Sequence, residues 1–334
     1  MEKRKRSPRG CFWGLFILQS SVLAVLLLIV VVMVAADASF SPGDRRKLGL
    51  DQSPRMTEVW SWGQGDTKVV RIPLRGMILL GENDGFFPVL GSADMALKSI
   101  RHATHDQDVR AIIMDVDSGG GGITASDIIY KALLDFKRAA PGRKVVVIFG
   151  DVGASGALYV ALAGDHIVAH PTTMTGSIGV MMQSFNLQEM AAKLGIRDVT
   201  IKSGANKDIL NPLGELTDEQ RRILQGMVEH LHDRFVQLVA EGRELSLRKV
   251  RELADGSVFI AADALELGLV DEIGYWEDAV AVTAGLLGVD HVKVFRYEQG
   301  FSLSSMFRSA AQWNPLSSTL NRMAGPKLMY RWEL

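Results

Sequence analysis

The chain has 334 residues, enough for one large domain or two modest ones and for a complete hydrophobic core. Its 37 Lys and Arg against 38 Asp and Glu leave a net charge of −1, so bulk electrostatics give no support for nucleic acid as a partner. The single cysteine excludes an intrachain disulfide, and the fold must stand on its core.

Charge is strongly asymmetric only at the start. Lys3, Arg4, Lys5, Arg6 and Arg9 precede an uncharged apolar run from Cys11 to Ala36. Basic flanks stay on the cytoplasmic side, so the chain beyond Asp37 is expected outside the cytoplasm, at the inner (cytoplasmic) membrane. About 20 apolar residues span a bilayer, whereas a cleavable signal core has about 7 to 15, so length favours a retained signal anchor. Ala36-Asp37-Ala38 has small residues at the spacing a signal peptidase reads, and a cleaved signal peptide is the alternative. Cys11 reads as a small apolar residue at the start of the span.

The expected organisation is a cytoplasmic basic segment 1–10, a transmembrane anchor 11–36, a stalk 37–67, a catalytic domain 68–295 and a tail 296–334. The stalk mixes Ser, Pro, Gly and charge without periodicity. Val69 to Leu80 then supplies short apolar strands and Ala93 to His105 a helix. Val109 to Val116 reads as a buried strand, Thr124 to Ala139 as a helix, and Lys144 to Phe149 as another buried strand. Such alternation predicts an α/β fold with parallel crossovers and functional loops at the C-terminal ends of the strands. A helix is expected from Ser155 through Ala163, and a short strand over Ile167 to Ala169.

Thr217 to Glu241 carries Ile223, Leu224, Met227, Val228, Leu231, Phe235, Leu238 and Val239 at the spacing of one helical face, either core or oligomer interface. Thr217 and Gln220 form a capping-box pattern at its start. The tail from Phe301 to Leu334 is sparsely charged and aromatic; lying on the membrane, docking on a partner subunit and disorder stay open.

Three short stretches carry chemistry. In Gly150-Asp-Val-Gly-Ala-Ser155-Gly-Ala, a strand turns into a helix and Ser155 falls at the helix start, among unsatisfied N–H groups at the positive end of the dipole. A nucleophilic serine needs a base and donors aimed at the developing oxyanion. The bland alternative is a helix cap. Asp117-Ser-Gly-Gly-Gly-Gly122 exposes backbone N–H groups suited to a carbonyl oxygen. It lacks the Lys-Ser or Lys-Thr that completes a phosphate loop, so nucleotide binding is disfavoured.

Lys207 and Lys202, in the loop bracketed by Gly204 and Pro212, are candidate bases. Lysine ordinarily ionises near pH 10.4, and a lysine base needs that lowered by about 2 to 3 units through burial away from anions. His166 and His170 flank the strand Ile167–Ala169, with ends expected in solvent. His102 and His105 could chelate a metal only with further ligands, and a solvated face is the simpler reading.

At these residues the sequence resembles the signal peptide peptidases of the SppA type, membrane-anchored Ser-Lys endopeptidases with the ClpP/crotonase fold, a superhelix of repeated β-β-α units. The resemblance runs from about Lys68 to Tyr275 and is strongest from Gly150 to Asp208. It implies Ser155 as nucleophile, Lys207 as general base, and Ser177 in Thr175-Gly-Ser-Ile-Gly179 as the serine that orients the lysine. Gly120, Gly121 and Gly156 match the region supplying oxyanion donors.

It also implies apolar peptide substrates, a ring-shaped homo-oligomer whose protomers share active sites, and no metal or nucleotide cofactor. The family's Asn-Ser-Pro-Gly-Gly appears here as Asp117-Ser-Gly119-Gly-Gly121, and its aromatic pair after the nucleophile as Leu158-Tyr159. Rival readings are a crotonase-type acyl-CoA hydratase or hydrolase, which the signal anchor disfavours because coenzyme A is cytoplasmic, and a non-catalytic membrane scaffold.

Overall fold

The computed structural model describes residues 56–81 and 92–298, together with the backbone of 328–331. The expected basic segment, the apolar run 11–36 and most of the stalk lie outside the described residues. Among the described residues no helix is long and apolar enough to cross a membrane.

A mainly parallel sheet organises the chain. Its strands are β1 (Thr57–Trp62), β2 (Thr67–Arg75), β3 (Val109–Ser118), β5 (Lys144–Ala154), β6 (His166–Ala169), β10 (Glu272–Ile273) and β11 (Val292–Glu298), in the order β1-β11-β2-β3-β5-β6-β10. All neighbours are parallel except β1, which runs antiparallel to β11 at the edge. Helices α1 (Ser92–His105) and α2 (Ile123–Ala139) make the crossovers from β2 to β3 and from β3 to β5.

Both faces of the central strands are covered, which explains why they read as unbroken apolar runs. Successive side chains point to opposite faces. Val70, Ile72, Leu74, Ile112, Met114, Val116, Val145, Val147 and Phe149 join Ile129, Leu133 and Phe136 of α2 in one core. The alternating Val69, Ala111, Ile113, Val146 and Ile148 pack in a second core with Ala279 and Ala284 of α8 (Trp276–Leu287). Phe149 is fully buried, and truncating such a ring costs about 3–5 kcal/mol.

Most expected elements shift by a residue or two, but β5 runs five residues past Phe149. After Val116 pairs with Phe149, the next pair with β3 is Ser118 with Gly153, so Gly150–Val152 bulge out. The strand then resumes and pairs with β7 (Met174–Gly176). Glycine and aspartate in the bulge hide the continuation from periodicity.

Helix α5 (Asp218–Gly242) begins with the expected capping box. The Gln220 N–H donates to Thr217 Oγ1 at 3.2 Å, and the Thr217 N–H donates to Gln220 Oε1 at 3.1 Å. Its apolar stripe divides: Phe235 and Val239 enter the core, whereas Met227 is exposed. The core reading therefore holds for the second half of the helix alone.

A second, small sheet lies beside the first. The strand β12 (Leu328–Arg331) runs antiparallel between β4 (Gly120–Gly122) and β8 (Met181–Met182). The end of the sparsely charged tail is thus placed on this chain's own strands.

Candidate active site

Ser155 stands between the last residue of β5 and the first of α3 (Gly156–Ala161). Its backbone has φ 54° and ψ −116°, a conformation that costs a side-chain-bearing residue roughly 1–3 kcal/mol and persists only where the surroundings impose it. Here its N–H donates to the Gly176 carbonyl at 2.8 Å and its carbonyl accepts from the Tyr159 N–H at 2.9 Å. The residue is 1% exposed, and among the described residues Oγ has no hydrogen-bond partner. It caps no backbone donor of α3, which removes the helix-cap reading. A strained backbone and a buried hydroxyl with nothing to bond mark a functional residue.

The predicted glycines lie together next to this residue. A Cβ on Gly156 would lie 3.2 Å from Gly120 Cα and from Gly121 N, and 2.6 Å from Ser126 Oγ. The Gly156 N–H is the first of α3 and has no acceptor within its helix. Gly120 has φ 99°, and its N–H donates to Ser118 Oγ at 3.0 Å.

The Gly120 carbonyl and the Gly122 N–H both bond Ile78. Backbone alternation therefore turns the Gly121 N–H to the opposite side, toward β12, where Tyr330 is its register partner. Sequence reasoning singled out neither Ser118 nor Ser126. Ser118 follows directly from its place beside Gly120, whereas nothing local marks Ser126.

Ser177 is buried with φ 50°, one residue past Gly176, to which the Ser155 N–H is bonded. Its own N–H donates to the Ser257 carbonyl at 2.7 Å. It opens on a cleft of about 550 Å³ shared with Val180, Met181, Gln225, Glu229 and His232.

The two lysines part company. Lys202 Nζ donates to both carboxylate oxygens of Asp208, at 2.7 and 2.8 Å, and to the Ala205 carbonyl at 3.1 Å. The hydrogen bond from Lys202 holds the Asp208 carboxyl below its usual range. Lys207 is exposed in a turn, and among the described residues its Nζ has no partner. Because Ser155 Oγ is itself without a partner, no Ser155–Lys207 hydrogen bond forms within one copy of the chain.

The histidines lie elsewhere. His166 Nε2 is 3.2 Å from Glu272, His170 Nδ1 is 2.8 Å from Thr172 Oγ1, and His102 packs edge-on against Tyr297.

Peptidase family S49 matches the chain over residues 137–290, a span that holds Ser155, Ser177 and Lys207. A relative from Enterococcus faecium bearing the name "Putative signal peptide peptidase SppA" is 33% identical over 261 residues, which are 77% of this chain and 75% of that protein. The chain belongs to peptidase family S49. It is similar also to "Protease 4" of Haemophilus influenzae, 34% identical over 215 residues (64% of this chain, 34% of the relative). A third relative, "Serine protease SPPA, chloroplastic" of Arabidopsis thaliana, is 31% identical over 191 residues (57% and 28%). This family member is a serine peptidase, which sets aside the acyl-CoA hydratase and scaffold readings.

Proposed function

We propose that the chain is a membrane-anchored endopeptidase that cuts apolar peptides, signal-peptide remnants among them, through a Ser155–Lys207 dyad completed between copies of the chain. The observation that carries this reading is the strained, buried and unpartnered hydroxyl of Ser155 beside Gly156, Gly120 and Gly121.

In the proposed cycle neutral Lys207 takes the Ser155 proton and Oγ attacks the scissile carbonyl. The backbone N–H groups of the Gly120–Gly121 and Gly156 region receive the oxyanion; one such donor is worth roughly 3 kcal/mol in the transition state. Lys207 then protonates the leaving amine and activates the water that hydrolyses the acyl-enzyme. Ser177, in the cleft wall next to Ser155, orients the lysine. The cycle uses no metal or nucleotide.

Two observations favour a shared site. Lys207 has no partner among the described residues, and the segment leading to it exposes Phe185 (70%), Leu194, Ile196, Val199 (84%) and Ile201 (97%), a surface suited to a neighbouring copy. A ring of copies in the ClpP/crotonase manner would cover it, bring Lys207 to a neighbour's Ser155, and provide the partly dry chamber a lysine base requires. The strand β12 supports peptide recognition by strand addition, since the space between β4 and β8 accepts an extended backbone antiparallel to both.

The test is cleavage of a fluorogenic leucine- and alanine-rich peptide by detergent-solubilised protein, comparing wild type with Ser155→Ala and Lys207→Ala at equal oligomeric state. Turnover lost in both variants is expected. Activity surviving Ser155→Ala would remove the assignment of the nucleophile.

A further inference from the structure

The chain must deliver two things to one point: Ser155 just past the end of β5, and the Gly121 N–H of β4, which follows β3 directly. Between them the β3–β5 ladder is broken, because the register passes from Val116–Phe149 to Ser118–Gly153 and leaves Gly150–Val152 bulged. A bulge frees N–H groups and lets the two strand ends slide relative to each other. Asp117 is the residue opposite this gap.

Its carboxylate closes the gap. The Val152 N–H donates to Asp117 Oδ1 at 3.1 Å. Arg75 holds the other oxygen, with Nη1 3.3 Å from Asp117 Oδ2, while its Nη2 donates to Asp115 at 2.6 Å. The Asp117 main chain is fixed as well, since its carbonyl accepts from the Gly76 N–H at 2.9 Å. The bulge is fitted closely to this side chain: a Cβ on Gly150 would lie 3.3 Å from Asp117 Cβ and 3.4 Å from Cγ. Val152 precedes Ser155 by three residues, and Asp117 precedes Gly120 by three. One carboxylate thus spans the two backbones at equal remove from the groups that must meet.

We infer that Asp117 is a positioning residue that sets the distance between the Ser155 hydroxyl and the oxyanion N–H groups, by accepting the Val152 N–H across the β5 bulge. This rests on the reading of Ser155 as nucleophile. The acceptor oxygen carries the role, and the negative charge is secondary, because Arg75 keeps Asp115 as a partner when Asp117 is neutral. Displacing reacting groups by about 1 Å costs on the order of 100-fold in turnover, and the loss falls mainly on kcat because the misplacement is felt where the Ser155 hydroxyl must meet the scissile carbonyl.

The experiment compares Asp117→Ala, Asp117→Asn and Arg75→Met in peptide hydrolysis and in hydrogen exchange of the Val152 amide, with Ser155→Ala alongside. Asp117→Ala is expected to lower kcat on the order of 100-fold, with KM within about threefold of wild type, and to speed Val152 exchange about tenfold or more. Asp117→Asn, which keeps an acceptor oxygen, and Arg75→Met, which keeps Asp117, are expected to stay within about threefold of wild type in kcat and exchange.

Wild-type kcat in Asp117→Ala would overturn the inference, as would an Asp117→Asn or Arg75→Met variant as impaired as Asp117→Ala, which would move the role to the ion pair. If Asp117→Ala does not assemble, the Asn and Met variants decide. Activity in Ser155→Ala would remove the nucleophile reading, and Val152 exchange would then judge the Asp117 contact by itself.

Discussion

Ser155 has a backbone conformation that its surroundings must impose. The chain accepts a left-handed backbone and a buried hydroxyl without a partner at one position, and holds it there with the Gly176 and Tyr159 main-chain bonds. Replacing it with alanine is expected to lower kcat at least about ten-thousand-fold in the fluorogenic assay, with oligomeric state unchanged. Lys207→Ala is expected to lose a comparable factor. Lys202→Ala should change kcat less than about threefold, since its Nζ is engaged by Asp208 and such a partly exposed ion pair is worth little. Equal damage from the two lysine variants would contradict this assignment.

Gly156 belongs to the same scale. Alanine there would drive its Cβ against Ser126 Oγ and the Gly120–Gly121 backbone, and Gly156→Ala is expected to lower kcat about 100-fold with a smaller change in KM.

At the scale of elements, α3 is short, small-residued and fully buried, and side chains from two longer helices hold it. Tyr159 Oη donates to Asp127 Oδ1 of α2 at 2.6 Å. Arg234 of α5 bonds both, with Nε donating to Tyr159 Oη at 3.1 Å and Nη2 to Asp127 at 2.5 Å. Burial pushes the Asp127 carboxyl upward, but the hydrogen bonds from Tyr159 and Arg234 outweigh it and the net shift is downward. A carboxyl whose folded pKa is depressed contributes its full stability above its unfolded value near 4 and loses it as pH falls through the lower folded value.

Tyr159→Phe is therefore expected to cost about 1–2 kcal/mol in urea unfolding at pH 7, and Asp127→Asn should be less destabilising at pH 3.5 than at pH 7. The strand β12 acts at this scale too. Its backbone occupies the edge between β4 and β8, so a chain ending before Leu328 is expected to bind peptide more tightly, read as a lower KM in the fluorogenic assay.

At the scale of the whole molecule, Ser155 and Lys207 have no side-chain partner among the described residues and the apolar segment 185–201 is exposed, which is what the proposed dyad shared between copies requires. Mixing inactive Ser155→Ala and Lys207→Ala subunits one to one and allowing them to exchange is expected to restore about a quarter of the wild-type sites, because half the serines then meet an intact neighbouring lysine. No recovery, with mixing verified by mass, would place the dyad within a single copy. Ile201→Asp is expected to dissociate the assembly and abolish turnover together, measured by sedimentation and peptide cleavage.

Much of this was legible in the residues. The alternating buried strands and helices and the capping box at Thr217 follow from local pattern, because periodicity and caps are short-range properties. The five extra residues of β5 were not legible, since a bulge of glycine and aspartate carries no strand signal.

Nor could local sequence separate Lys202 from Lys207 or show that the α5 stripe divides between core and surface. Those depend on which groups lie opposite across space: Asp208 beside Lys202, and an open cleft beside Met227. The sequence by itself determined the α/β architecture and which residues could do the chemistry. Only the tertiary structure decided that Ser155 is strained and, among the described residues, unpartnered, that Asp117 bridges the bulge, and that β12 lies between β4 and β8, because each depends on segments far apart in the chain whose geometry no local pattern encodes.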